Sequence, residues 1–146
     1  MDKVLKILML EDLQDDVGLI ERTLRKEGMN FSGRRVDTHD EFTESLKTFQ
    51  PDVILSDHAL PQFNSIEALK IVRKQSVNVP FILVTGTVSE EFAVSCLKEG
   101  ADDYVLKSNM VRLPSAIQTA LKQRQLEQKR RKAEYALRKQ NEELIK

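Results

Sequence analysis

Five polar side chains stand where short apolar runs stop. Val4–Leu10 ends in Glu11-Asp12, and the run through Val53, Ile54 and Leu55 closes at Asp57. Val79–Thr85 closes on a hydroxyl ahead of Gly86, and Tyr104–Leu106 is followed by Lys107. Three carboxylates brought together repel one another unless a cation sits among them. An all-oxygen set suits a hard divalent ion such as Mg²⁺. With a lysine and a hydroxyl beside it, such a set forms a receptor for phosphoryl oxygens. One of the carboxylates can itself be the nucleophile and form an acyl phosphate.

These residues can act together only if the fold gathers them. The apolar runs are near-continuous, as expected for strands covered on both faces. Phe31–Val36 is a weaker, more polar strand candidate. Between the runs lie helical patterns: Val17, Ile20 and Leu24, ended by Gly28; Phe42, Leu46 and Phe49, before Pro51; Ile66, Leu69, Ile71 and Val72; Phe92, Ala93, Cys96 and Leu97, ended by Gly100; and Leu113, Ile117, Ala120 and Leu121. Strand and helix alternate five times, which predicts an α/β parallel sheet wrapped by helices. Parallel strands would place Glu11, Asp12, Asp57, Thr85 and Lys107 on one rim, at the carboxyl ends, where such sheets bind ligands. Taken singly, each has a plainer role. Glu11-Asp12 and Asp15-Asp16 could simply cap the first helix, and Lys107 could be a solvated lysine.

Composition narrows the classes. The chain has 146 residues, one cysteine (Cys96) and two histidines, so it has no internal disulfide framework and no His-rich metal site. Cys96, on an apolar helix face, reads as a small buried hydrophobe. No apolar run approaches the ~18 residues a membrane span needs, and the N-terminus lacks a signal-peptide layout, so a cytoplasmic setting is expected. The net charge is zero, but residues 122–146 hold nine of the 23 Lys and Arg and four of the 23 Asp and Glu. An acidic body, 1–121, therefore precedes a basic tail.

In this order and spacing, Leu10-Glu11-Asp12, Ile54-Leu55-Ser56-Asp57, Leu83-Val84-Thr85-Gly86 and Gly100-Ala101-Asp102-Asp103-Tyr104-Val105-Leu106-Lys107 resemble the receiver domain of two-component response regulators. The resemblance implies a flavodoxin-like (βα)5 fold with strand order 2-1-3-4-5. It implies that Asp57 accepts a phosphoryl group from a phosphohistidine on a histidine kinase or phosphotransfer domain. Asp12, Asp57 and the main-chain carbonyl of Ala59 would bind Mg²⁺, with Glu11 acting mostly through water. Lys107 would pair with the phosphoryl oxygens, Thr85 would swing toward them, and Tyr104 would turn inward behind it. The switched surface would be that of the fourth helix, fifth strand and fifth helix.

The sequence departs from that family in three places. Ser108 follows Lys107 where receivers usually have proline, so a trans peptide bond is expected there. Ser65 follows Leu60-Pro61-Gln62-Phe63-Asn64 where a glycine is common, which suggests a left-handed Asn64. Ala59 and Thr87 offer no side chain to position an attacking water, so slow dephosphorylation is expected.

Residues 122–146 lack glycine and proline and carry Glu127/Arg131 and Glu134/Arg138 at i,i+4 spacing, so the fifth helix should continue. Leu126, Ala133, Leu137 and Leu144 form a sparse seam that suits pairing with a second copy as a coiled coil. The pattern runs uncapped to Lys146, which reads as a linker toward a further module, and such tails resemble receivers ahead of sensor or histidine-kinase modules. The basic run Lys129–Lys132 has no DNA-reading motif beside it, so direct nucleic-acid binding is not expected. A haloacid-dehalogenase-type phosphatase would need an acid at position 59, a P-loop enzyme lacks its motif here, and no phosphate-cradling loop supports a flavin carrier. The remaining rival is a receiver that has lost phosphotransfer and serves as a binding scaffold.

Overall fold

The computed structural model describes residues 3–58, 60, 63–75, 78–86 and 90–145. Strands β1 (Leu5–Leu10), β2 (Phe31–Val36), β3 (Val53–Ser56), β4 (Phe81–Thr85) and β5 (Asp103–Leu106) pair in parallel in the order β2-β1-β3-β4-β5. They alternate with helices α1 (Gln14–Lys26), α2 (His39–Thr48), α3 (Ser65–Lys74), α4 (Glu90–Lys98) and α5 (Leu113–Ile145), with a 3-10 turn at Lys107–Arg112 before α5. The expected fold class and strand order are both present.

The apolar runs are continuous because successive side chains of β1 enter different cores. Ile7 and Met9 join Val17, Ile20 and Leu24 of α1 and Leu113, Ile117 and Ala120 of α5. Leu8 and Leu10 join Phe42 and Leu46 of α2, Leu69 and Val72 of α3, and Cys96 of α4 on the other face. Strand β2 needs no such run. It is an edge strand, and exposed Arg34 and Arg35 discourage further strand pairing there. Gly28 ends α1 with φ of 76°, a left-handed conformation that glycine adopts without a Cβ clash.

Several local expectations need correction. The face that α3 buries is Ser65, Ala68, Leu69 and Val72, with Ile66 and Ile71 only packed at its margin. Leu97 of α4 is exposed, leaving Ala93 and Cys96 to seat that helix. Asn64 is extended (φ −107°, ψ 167°), because it is the N-cap of α3 and its Oδ1 accepts from the Glu67 N–H at 3.0 Å. A capping side chain needs that extended backbone, and a left-handed one would aim it away. No acidic side chain caps α1 either: its N-cap is Leu13, without a side-chain cap bond.

At the end of the sheet opposite the rim, Asp102 joins three elements. Its Oδ2 accepts from the Phe81 N–H at 2.7 Å and from Arg73 at 3.2 Å, and its Oδ1 accepts from Arg124 at 2.9 Å. Arg124 also donates to Asn78, so α5 stays tied to the body beyond its last buried residue, Ala120. Asp102→Ala would leave two half-buried guanidinium groups facing each other and a strand N–H without its acceptor. It is expected to lower unfolding stability by about 3 kcal/mol. Urea unfolding measures this, and a loss below ~1 kcal/mol would show that the acceptors the two arginines already have, the Gly100 and Val79 carbonyls and Asn78, suffice to hold them.

Past Arg124 the helix leaves the body, and Leu126, Tyr135, Leu137 and Leu144 are exposed. The expected Glu127–Arg131 pair forms at 3.2 Å, whereas Glu134 accepts from Arg130 at 2.6 Å in place of Arg138. Either arginine lies four residues from Glu134, and rotamer choice on an exposed face decides between them. No described helix is long and apolar enough to cross a membrane.

Candidate functional site

Strand register assembles the rim. Leu10 of β1 pairs with both Val36 and Ser56, so Glu11 and Asp57 leave neighbouring strand ends side by side. The Asp57 N–H donates to the Leu10 carbonyl at 2.9 Å, and the Glu11 N–H to the Val36 carbonyl at 3.0 Å. On the other side Ser56 pairs with Leu83, and Thr85 pairs with Leu106, the residue before Lys107. Residues far apart in the chain thus meet through backbone pairing.

Carboxylate oxygens of Glu11, Asp12 and Asp57 lie within 4.8 Å of one another. Glu11 is only 2% exposed. Its Oε1 accepts from the Leu13 N–H at 3.1 Å and its Oε2 from Lys107 Nζ at 2.9 Å. Burial raises the Glu11 carboxyl above its ordinary range, and the Lys107 and Leu13 bonds only partly offset this. Asp57 Oδ1 accepts from the His58 N–H at 2.8 Å, leaving Oδ2 at 3.3 Å from Lys107 Nζ. The three-carboxylate set offers only oxygen donors, some already committed to neutral or cationic partners, and fits a small hard cation.

Lys107 is the centre of charge. Its side chain is 15% exposed, and its Nζ also donates to Asp16 Oδ2 at 2.7 Å, its shortest contact. Burial alone would lower this ammonium's pKa, but the bonds to Asp16 and Glu11 and the charge of Asp57 outweigh burial and raise it. Asp16 was legible only as a helix-cap candidate. The missed signal was its place in the first turn of α1, which starts at the end of β1 and therefore on the same rim.

Thr85 is buried at the end of β4, and Tyr104 is half-buried on β5, packed against the α2–α3–α4 core. Tyr104 also borders a shallow depression lined by Asp103, Leu106, Asn109 and Arg112. The peptide bond between Lys107 and Ser108 is trans, as expected. Ala59 and Thr87 lie outside the described residues. Sequence reading also gave no role to His58, whose Nδ1 lies 3.1 Å from Ser65 Oγ and whose ring centroid lies 3.9 Å from that of Phe92 on α4. Cys96 is buried, which pushes its thiol pKa up and leaves it a packing residue.

A doubly wound parallel sheet with an acidic pocket and a lysine at its carboxyl rim defines a class of α/β domain that binds at strand ends. Residues 7–118 match the description "Response regulator receiver domain", and the chain belongs to that family, the receiver domains of two-component signal transduction. The chain is 35% identical over 105 residues to the alkaline phosphatase synthesis transcriptional regulatory protein PhoP of Bacillus subtilis, covering 70% of this chain and 42% of that protein. It is 30% identical over 103 residues to the cell cycle transcriptional regulator CtrA of Caulobacter vibrioides, covering 70% and 44%. The chain thus spans less than half the length of these relatives. Among solved structures, a CheY-like receiver domain protein from Methanospirillum hungatei superposes with a TM-score of 0.72 at 26% identity, covering 86% of this chain and 99% of that one. A receiver domain from Francisella superposes with a TM-score of 0.70 at 28% identity, covering 82% and 98%.

Proposed function

We propose that Asp57 is the phosphoacceptor of this receiver and that its rim catalyses the transfer from a histidine kinase or phosphotransfer partner. The observation that supports this most is the convergence of Lys107 with Asp57 and Glu11 beside the three-carboxylate cluster. An Asp57 carboxylate oxygen attacks the phosphorus of a phosphohistidine. The P–N bond breaks, and its electron pair leaves with the imidazole, which takes up a proton. Lys107 then donates to the new phosphoryl oxygens in place of Asp57 Oδ2. Glu11, Asp12 and Asp57, with the main-chain carbonyl of Ala59, would hold Mg²⁺, which when bound neutralises charge on the carboxylates and the transferring group.

The added phosphoryl charge, about −1.5 to −2, gives the Thr85 hydroxyl a reason to move. Tyr104, on the neighbouring strand, fills the space behind it, and the surface of α4, β5 and α5 changes state. In this reading residues 1–121 are the receiver and 122–146 a helical extension that pairs with a second copy through Leu126, Ala133, Leu137 and Leu144. The partners are proteins, and no residue is assigned to nucleic acid.

Intact mass after incubation with Mg²⁺ and a small phosphodonor tests the reading. One base-labile phosphoryl adduct is expected, and chelation of the metal should abolish it. No adduct from the small donor or from any candidate kinase would leave a binding scaffold instead.

A further inference from the structure

An ammonium group has three N–H donors. At Lys107, three carboxylate oxygens stand within reach: Asp16 Oδ2 at 2.7 Å, Glu11 Oε2 at 2.9 Å and Asp57 Oδ2 at 3.3 Å. The two shortest contacts go to residues other than the acceptor. Asp16 comes from the first turn of α1, and its carboxylate lies outside the three-carboxylate cluster suited to a cation. We propose that Asp16 is a positioning residue for phosphoryl transfer: together with Glu11 it holds the Lys107 ammonium so that the third N–H faces Asp57. This inference rests on the reading of Asp57 as phosphoacceptor.

Three features support it. A lysine stem has four rotatable carbons, and its ammonium keeps one position only if it is tethered from more than one side. Glu11 tethers it from the end of β1, and Asp16 from α1. The Asp16 tether also persists when Glu11 is drawn toward a cation, because Asp16 is not one of the clustered ligands. Finally, the pair is shielded: the Lys107 side chain is 15% exposed and that of Asp16 25%, so salt and water screen it less than a surface bridge.

The test uses the full chain and four forms: wild type, Asp16→Asn, Lys107→Met and the double variant. Initial phosphorylation rates with phosphoramidate and Mg²⁺ are followed by intact mass. Asp16→Asn is expected to slow the saturating rate about tenfold with little change in the half-saturating donor concentration, as loss of one charge-assisted bond implies. Asp16→Glu should restore part of the rate. In the Lys107→Met background, Asp16→Asn should have no further effect. A second readout needs no phosphorylation: in the metal-free protein, the Lys107 ammonium NMR signal should lose its protection from exchange in Asp16→Asn.

An unchanged or faster rate in Asp16→Asn would overturn the proposal, a faster rate meaning that Asp16 competes with the phosphoryl group for Lys107. The same tenfold loss in the Lys107→Met background would also overturn it, since Asp16 would then act elsewhere. A wild type that takes no phosphoryl group from phosphoramidate or from any candidate kinase sinks the phosphoacceptor reading and this inference with it. A phosphorylated wild type with an indifferent Asp16→Asn sinks the inference alone.

Discussion

Asp57→Asn is expected to lose phosphoryl uptake completely and yet to unfold at a higher temperature than the wild type. The first effect follows from chemistry: an amide oxygen offers no full negative charge to attack phosphorus. The second follows from charge. Glu11, Asp16 and Asp57 crowd one ammonium, Asp12 lies beside Glu11 and Asp57, and the mutual repulsion of these carboxylates destabilises the metal-free fold. Asparagine keeps the Oδ1 that accepts the His58 N–H and gives up only the longest of the three Lys107 contacts. The gain should be about 1 kcal/mol, or roughly 3–4 °C in a calorimetric melt of a domain this size. Adding Mg²⁺ should narrow the gap, because a cation that binds the folded wild type stabilises it by mass action. A melt below that of the wild type would mean that the Asp57–Lys107 pair outweighs the repulsion.

Lys107→Met should have the largest effect on stability. It takes away the cation and leaves Glu11, almost fully buried, beside two other carboxylates. Breaking a buried pair by removing one partner costs about 3 kcal/mol or more, because the remaining charge has no compensation. The loss should depend on pH, and the sign follows from Glu11. Its carboxyl is already held above its ordinary range by burial, and the bond from Lys107 is what limits the rise. Without Lys107 it rises further. A carboxyl raised in the folded state contributes stability that is present below its unfolded pKa and is lost as pH rises through its folded one. The variant's deficit should therefore be largest near neutrality and shrink toward about pH 5. Lys107 itself is raised, so its own contribution persists until strongly alkaline pH and adds no slope in this window. Urea unfolding at the two pH values measures the difference, and an equal deficit at both would remove Glu11 as its cause.

Much of the architecture is written locally. The apolar runs ending at Glu11, Asp57, Thr85 and Lys107 are visible because strand burial depends on contiguous residues. The left-handed expectation at Asn64 fails because its role depends on Glu67 three residues on, a cap recognisable only once α3 has a start. Asp16 escaped for a different reason. Its sequence neighbours suit a helix cap, and nothing near it points to a lysine 91 residues away.

By itself, then, the chain of residues determined the alternation of strand and helix, the five rim side chains and the family they resemble, because those follow from hydrophobic period and motif spacing. Tertiary structure alone decided which carboxylates share Lys107, that His58 meets Phe92 of α4, and that Arg124 ties α5 to Asp102. The physical reason is that a side-chain contact depends on strand register, helix placement and rotamer. Those are set by how the two cores pack against the sheet, which no local pattern records.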